Sequence, residues 1–225
     1  VFSQAFVADV YVNFGYPRND VLFSNNNQKN LISTDLESID RILLHKSDNL
    51  NIILYAPTFR KLGASKYSPL DILKLNDFCK NNNLLFVIKH HYRPNHNLSY
   101  IEKYSSNIVY YDNESDVYPI LKNVDLIVTD YSSIYIDTLL INKKVIFFPF
   151  DSMEYFTNKK ELSDYIKKTP GPKCYTQTEL QREIIYMMNT NKDKYTDSRM
   201  SMCSNSFDSK SNGASRLLWD YINNL

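Results

Sequence analysis

Residues 124–150 read V-D-L-I-V-T-D-Y-S-S-I-Y-I-D-T-L-L-I-N-K-K-V-I-F-F-P-F. The apolar run at 126–128 has the length and the β-branched content of a buried parallel strand. Ser132 and Ser133 follow it, and the apolar residues after them recur at the spacing of one helix face. A second apolar run at 145–148 ends at a proline. The segment predicts a strand, a tight turn, a helix and a second strand, which is one βαβ unit.

The turn before the predicted helix is a candidate anion site. Ser132 and Ser133 offer two hydroxyl groups beside backbone N–H groups that have no partner within a helix. The positive end of the helix dipole faces the same place and suits a phosphate or a diphosphate. The same residues are also explained if Ser132 is simply the N-cap of the helix, which needs no ligand. Both interpretations stay open on these residues alone.

Apolar runs alternate with helical patterns along the preceding half of the chain. Runs at 51–56, 84–88 and 108–111 predict three further strands, and 34–45 and 69–80 have helical periodicity. Strands that alternate with helices at this spacing predict a parallel sheet. We therefore expect an α/β fold, with a Rossmann-like parallel sheet and helices on both faces.

The carboxyl-terminal third is less regular. The segment 151–168 is polar and lacks a clear period, whereas P-G-P at 170–172 marks a firm turn. Helical patterns follow at 177–188, more weakly at 193–208, and finally at 214–221.

Composition excludes several classes of function. The 225 residues carry 26 Lys and Arg against 25 Asp and Glu, a net charge of +1, so we expect no nucleic-acid partner. The three cysteines have neither CxxC nor Cys/His metal spacing, which favours a reduced, cytoplasmic protein without a metal site. No apolar stretch approaches the ~20 residues of a membrane span. The four glycines lack the G-x-G-x-x-G spacing, which argues against an NAD-binding domain.

Polar residues at the ends of the predicted strands form a candidate site. Ligands of open parallel sheets bind beyond the carboxyl ends of the strands, so these residues are expected to face one crevice. Their cations, hydroxyls and imidazoles suit a diphosphate and a group that handles a proton. The residues are Thr58, Arg60, Lys89, His90, His91, Asp112, Glu114, Asp116, Thr129, Asp130, Ser132, Ser133 and Asp151. Because neighbours on a strand point to opposite faces, His90 and His91 are expected to differ in role.

Four motifs occur in order along the chain. They are G-Y-P-R-N-D at 15–20, Y-A-P-T-F-R at 55–60, K-H-H at 89–91 and D-L-I-V-T-D-Y-S-S-I-Y-I-D at 125–137. Looser matches are P-G-P at 170–172 and N-G-A-S-R at 212–216. Together they resemble the C-terminal domain of the CDP-glycerol:poly(glycerophosphate) glycerophosphotransferases, the teichoic-acid polymerases, and related capsule polymerases. The resemblance covers nearly the whole chain.

The resemblance implies a GT-B fold of two Rossmann-like domains, of which the C-terminal one holds the nucleotide-activated donor. Its reaction transfers glycerol phosphate, or ribitol phosphate in relatives, from a CDP carrier to a growing cell-surface polymer and releases CMP, without a cofactor. The implied partners are a CDP-activated polyol donor and a polymer or lipid-linked acceptor, bound through the missing N-terminal domain at the inner membrane surface. Residues 1–24 are then the tail of that missing domain or an interdomain crossover, 25–212 the donor-binding domain and 213–225 a C-terminal helix.

The resemblance also implies roles for single residues. His91 takes the place of the family's essential histidine, near the donor diphosphate, and is the candidate catalytic residue. The candidates for diphosphate binding are Ser132, Ser133, Thr129, Asp130, Arg60 and Lys89. The candidates for the nucleotide or donor cleft are Arg18, Asn19, Thr58, Asp112, Glu114 and Asp116. Fixed groups of this kind assist phosphoryl transfer by positioning and by charge neutralisation.

The sequence departs from the family pattern in three places. The H-G motif of the family's N-terminal domain is absent, Lys61 replaces the acid usual after Y-A-P-T-F/W-R, and no R-G-F/L stretch is recognisable in 158–169. We therefore expect these residues alone to bind the CDP donor weakly and to catalyse little. Two alternatives remain open: the C-terminal domain of a GT-B sugar transferase that uses a nucleotide sugar, and a non-catalytic α/β binding module. The sequence lacks the E-x7-E motif that is usual in retaining sugar transferases.

Overall fold

A computed structural model describes residues 7, 9–24, 33–60, 69–90, 105–207 and 213–225. Within these ranges, five parallel strands form one sheet in the order β3-β2-β1-β4-β5. The strands are β1 (Asn51–Tyr55), β2 (Leu84–Ile88), β3 (Ile108–Tyr110), β4 (Leu126–Thr129) and β5 (Lys144–Phe147). The chain moves outward in one direction from β1 to β3 and then in the other from β4 to β5. This arrangement confirms the predicted Rossmann-like α/β fold and places a topological switch point between β1 and β4.

Eight α-helices and two 3-10 helices accompany the sheet in the described ranges. The α-helices are α1 (Leu36–Ser47), α2 (Ile72–Asn81), α3 (Ile134–Leu139), α4 (Ser152–Tyr155), α5 (Lys159–Lys168), α6 (Gln177–Asn189), α7 (Thr196–Ser206) and α8 (Ala214–Asn223). The 3-10 helices are Pro17–Leu22 and Tyr118–Asn123. None of the helices seen in these ranges is long and apolar enough to cross a membrane.

Two apolar cores cover the two faces of the sheet. Ile52 and Leu54 of β1 belong to one core, and Ile53 and Tyr55 belong to the other. Helices α1, α3 and α7 contribute to the first core, and α2 and α6 contribute to the second. Because both faces are covered, nearly every strand residue is buried, which explains the continuous apolar runs in the sequence.

Several element boundaries differ from the sequence predictions. Helix α2 begins at Ile72 rather than at Pro69, because Asp71 accepts a hydrogen bond from the backbone N–H of Lys74 and caps the helix. The segment between the acidic residues at 112–116 and β4 forms the 3-10 helix Tyr118–Asn123. The polar segment 151–168 contains α4 and α5, and α5 buries no residue fully. A helix exposed in this way leaves only a weak apolar stripe in the sequence.

The P-G-P turn extends the sheet beyond β5. The backbone N–H of Phe147 donates to the carbonyl of Pro172, and the N–H of Cys174 donates to the carbonyl of Phe147, both at 2.8 Å. A Cβ atom at Gly171 would lie 2.3 Å from the carbonyl oxygen of Val145. Glycine is therefore needed here for the close approach of two backbones.

Candidate functional site

A cavity of about 430 Å³ lies at the carboxyl edge of the sheet. Its walls come from several strand ends: Pro57 follows β1, Lys89 and His90 follow β2, Ser115 and Asp116 follow β3, and Ser132 and Ser133 follow β4. Arg18 and Tyr118, one from each 3-10 helix, complete the same space. The cavity therefore occupies the switch point, where open α/β sheets bind their ligands.

The structure separates the predicted site residues into two groups. The residues that line the cavity are Arg18, Lys89, His90, Asp116, Ser132 and Ser133. The residues that lie outside its lining are Asn19, Thr58, Arg60, Asp112, Glu114, Thr129, Asp130 and Asp151. His91 lies outside the described residues. Sequence reasoning missed Tyr118 because it belongs to a 3-10 helix and not to a strand end.

Lys89 brings a positive charge to the cavity wall. Its ammonium group donates hydrogen bonds to the backbone carbonyls of Asp112 and Asn113, each at 2.6 Å, and lies 5.7 Å from the centre of the Tyr111 ring. Burial lowers the pKa of Lys89, although the carboxylate of Asp112 acts in the opposite direction. Among the described residues no carboxylate lies within ion-pair distance of this ammonium group. Lys89 therefore brings a cation to the wall of the cavity.

Arg18, in the G-Y-P-R-N-D motif, brings a second cation to the cavity wall. Its guanidinium lies 5.1 Å from the centre of the Tyr118 ring, and a hydrogen bond with Tyr118 is the main cause that raises the pKa of Arg18. The buried Asn19 donates to Asp137 of α3 at 3.0 Å, and the Tyr118 hydroxyl donates to the same carboxylate at 2.7 Å. Asn19 therefore fastens the segment that carries Arg18 to α3, the helix that follows the serine turn (Ser132 and Ser133).

The serine turn leads into α3 with one long hydrogen bond from the helix start to a serine side chain. Helix α3 begins at Ile134, and Ser133 before it has helical backbone angles and a side chain that makes no capping hydrogen bond. The Ser132 hydroxyl accepts only a long hydrogen bond, 3.4 Å, from the N–H of Ile134. A bond to the N–H two residues later is the one expected of an N-cap, so the structure does not contradict the N-cap interpretation of Ser132. Both hydroxyls border the cavity and can donate to a bound anion.

Thr129, Asp130 and Arg60 bond to protein groups beside the cavity. The Thr129 hydroxyl donates to the carbonyl of Ala56 at 2.6 Å. The fully buried Asp130 carboxylate accepts from the N–H of Thr58 at 2.7 Å and from Arg60 at 2.6 Å. These contacts join the ends of β1 and β4 and leave the three side chains directed at the protein.

The acidic loop after β3 is organised by Asp112. Its carboxylate accepts from the hydroxyl of Ser115 at 2.8 Å and from the N–H of Glu114 at 3.2 Å. The hydrogen bond from Ser115 is the main cause that lowers the pKa of Asp112. Glu114 is exposed, whereas Asp116 borders the cavity and accepts from the N–H of Tyr118 at 3.1 Å. Asp112 therefore shapes the loop, and Asp116 and Ser115 present polar groups to the cavity.

No cluster of three or more metal-ligating side chains occurs in the part of the chain that the structure describes.

Comparison with known proteins gives a consistent set of relatives. A family model described as "CDP-Glycerol:Poly(glycerophosphate) glycerophosphotransferase" matches residues 1–224. The teichoic acid ribitol-phosphate polymerase TarL of Staphylococcus aureus is 30% identical over 161 residues, which are 70% of this chain and 28% of TarL. The teichoic acid glycerol-phosphate primase of Bacillus subtilis is 30% identical over 185 residues, 80% of this chain and 46% of the primase.

A solved structure shares the architecture. The wall teichoic acid polymerase TagF superposes with a TM-score of 0.65 at 25% identity, over 95% of this chain and 51% of the TagF chain. This chain therefore spans about half of the solved relative and less than half of the two curated relatives.

Proposed function

Since this chain belongs to the CDP-glycerol:poly(glycerophosphate) glycerophosphotransferase family, we propose that it forms the nucleotide-donor domain of a polyol-phosphate polymerase. The complete protein transfers glycerol phosphate, or ribitol phosphate, from a CDP-activated donor to a growing cell-surface polymer and releases CMP. The observation that carries this proposal is the cavity at the switch point, where Lys89 and Arg18 lie with Ser132 and Ser133.

The composition of the cavity wall suits the diphosphate of a CDP donor. Lys89 and Arg18 supply two positive charges, and Ser132 and Ser133 supply hydroxyl donors. Phosphoryl transfer depends mainly on positioning and on fixed groups that neutralise charge on the transferring and leaving oxygens. We assign the diphosphate to these four residues. Asp116, with Ser115 beside it, is assigned to the hydroxyl groups of the nucleotide or of the polyol.

The remaining candidates receive different roles. His91 stays the candidate catalytic residue, on the basis of the family motif, and its neighbour His90 borders the cavity. Thr58, Thr129 and Asp130 hold the strand ends. Asn19 positions the segment of Arg18, Asp112 shapes the loop before Asp116, and Glu114 remains a candidate at the rim.

The acceptor and the location are part of the same proposal. A polymer or lipid-linked acceptor binds to regions of the family members that this chain does not cover. The three cysteines are buried and free, as is typical of a reducing compartment. The protein therefore acts on the cytoplasmic side, peripherally at the inner membrane surface, where it meets a lipid-linked acceptor.

Calorimetric titration with CDP-glycerol, CDP-ribitol, CMP and UDP-glucose tests the proposal. We expect selective binding of the CDP-polyols, weakened several-fold when Ser132→Ala and Ser133→Ala are combined. The matched control is Ser204→Ala, an exposed serine on α7. A preference for UDP-glucose would favour the sugar-transferase alternative. Unchanged CDP-polyol affinity in the folded double variant would remove the serines from the site.

A further inference from the structure

Arg60 joins the ends of three adjacent strands. Its Nη1 donates to the carbonyl of Thr58, after β1, at 2.8 Å. Its Nη2 donates to Asp130, after β4, at 2.6 Å. Its Nε and Nη2 donate to the two carboxylate oxygens of Asp151, after β5, at 2.7 and 3.0 Å. Because β1, β4 and β5 are neighbours in the sheet, one side chain fixes the relative positions of their carboxyl ends.

Aromatic rings enclose the Arg60 guanidinium. The rings of Tyr131 and Tyr155 stack with centroids 3.6 Å apart, and the Arg60 Cζ lies 5.1 and 5.4 Å from their centres. The Tyr131 hydroxyl also donates to Asp151 at 2.9 Å, and its backbone N–H donates to Asp130 at 2.5 Å. Tyr131 is therefore held at both its backbone and its side-chain end, one residue before Ser132.

The guanidinium has five N–H donors, and the contacts to Thr58, Asp130 and Asp151 use four of them. The Asp130 side chain is 0% exposed, so the cation opposite it compensates a carboxylate that water does not reach. A guanidinium bound in this way cannot turn toward a diphosphate without leaving Asp130 buried and unpaired.

We propose that Arg60 is a positioning residue and not a ligand of the CDP donor. With Asp130 and Asp151 it fixes Tyr131, and thereby presents the hydroxyls of Ser132 and Ser133 to the cavity. This inference rests on the proposed function for the identity of the ligand, and it replaces the direct diphosphate contact that the family motif suggested for Arg60.

Asp151→Asn separates positioning from direct contact, because it loosens Arg60 but keeps the arginine charge. If Arg60 positions the turn, Asp151→Asn and Arg60→Met each lower the affinity for CDP-glycerol by about tenfold, since small displacements of binding groups have large effects. The double variant Asp151→Asn, Arg60→Met then loses little more affinity than either single variant, because the two residues act as one unit. Arg60→Lys also loses affinity, because an ammonium lacks the bidentate geometry of a guanidinium.

Backbone amide exchange in the ligand-free protein gives a readout that needs no donor. We expect faster exchange at the N–H of Tyr131 and Ile134 in Asp151→Asn and Arg60→Lys, with unchanged exchange in the strands. Arg182→Lys, an exposed arginine on α6, is the matched control. Wild-type affinity in Asp151→Asn together with a loss in Arg60→Met would assign Arg60 to direct binding. Unchanged exchange at the N–H of Tyr131 in Arg60→Lys would overturn the positioning role. This outcome does not depend on the proposed function, because the exchange is measured without any CDP compound.

Discussion

The carboxylate of Asp20 accepts a hydrogen bond at 2.9 Å from the backbone N–H of Gly213, 193 residues later in the chain. It also accepts from the N–H groups of Ala214 at 3.0 Å and Ser215 at 2.8 Å. These N–H groups belong to the N-cap residue and the first turn of α8, where no partner exists within the helix. Gly213 itself has φ +108°, a conformation that favours glycine. The G-Y-P-R-N-D motif thus supplies the cap for a helix whose start lies in the N-G-A-S-R motif.

Removal of this cap should destabilise the protein. Asp20→Ala leaves three backbone N–H groups without their acceptor, and loss of a capping side chain costs about 1–2 kcal/mol. Urea unfolding followed by circular dichroism measures the loss. The control is Asp197→Ala, because the Asp197 side chain is 81% exposed and pairs with Lys192 at the surface. Equal losses in the two variants would contradict a capping role for Asp20.

The cap should also make stability depend on pH. Burial acts to raise the pKa of Asp20, but the hydrogen bonds from Ser215, Gly213 and Ala214 outweigh it and lower the pKa. A carboxyl group whose folded pKa lies below the unfolded value, ~3.9, stabilises the fold above that pH. The contribution is lost as the pH falls through the folded pKa. The free energy of unfolding, measured with urea from neutral to acidic pH, should therefore become more alike in the wild-type protein and in Asp20→Asn as the pH falls. A difference between the two proteins that stays constant with pH would be evidence against Asp20 as the cap of α8.

The P-G-P turn should tolerate no side chain at its centre. In Gly171→Ala the new Cβ would meet the carbonyl oxygen of Val145 at 2.3 Å, so the segment must move away from β5. We expect a loss of about 3 kcal/mol in the free energy of unfolding, as is typical of overpacking. CDP-glycerol affinity of the folded variant should stay unchanged, because Gly171 does not line the cavity. A stability equal to that of Ser204→Ala would contradict the close approach of the two backbones.

The strands were predictable because a sheet covered on both faces needs continuous apolar runs. The run at 84–88 coincides with β2, and the run at 126–128 falls within β4. Helix α5 was not predictable in the same way, because it lies on the surface and buries no residue fully. Its half-buried Tyr165 donates from the hydroxyl to the carbonyl of Asp130 at 2.9 Å, a contact that only the folded chain shows.

The candidate site was predictable in position but not in detail. The rule that ligands lie beyond strand ends selected Lys89, Ser132 and Ser133, all of which border the cavity. The same rule selected Arg60 and Asp130, which bond to each other instead. Arginine, aspartate and threonine side chains can bind a ligand, and they can equally well form hydrogen bonds and ion pairs within the protein. Only the distances in the folded chain decide between the two uses.

Lys89 should be the main electrostatic contact for a CDP donor. A hydrogen bond to a charged group contributes roughly 1.5–3 kcal/mol, so Lys89→Met should weaken CDP-glycerol binding by about ten- to a hundredfold. The fold should persist, because the two carbonyls released by the substitution lie on the partly exposed loop at 112–113 and can bind water. Calorimetry at low and high salt measures the effect. Added salt should weaken binding by the wild-type protein more than by the variant, because salt screens the attraction that the variant lacks. Lys74→Met is the matched control, since the Lys74 side chain is 81% exposed on α2. If Lys89→Met lost no more affinity than this control, the diphosphate would have to lie elsewhere in the cavity, closer to Arg18.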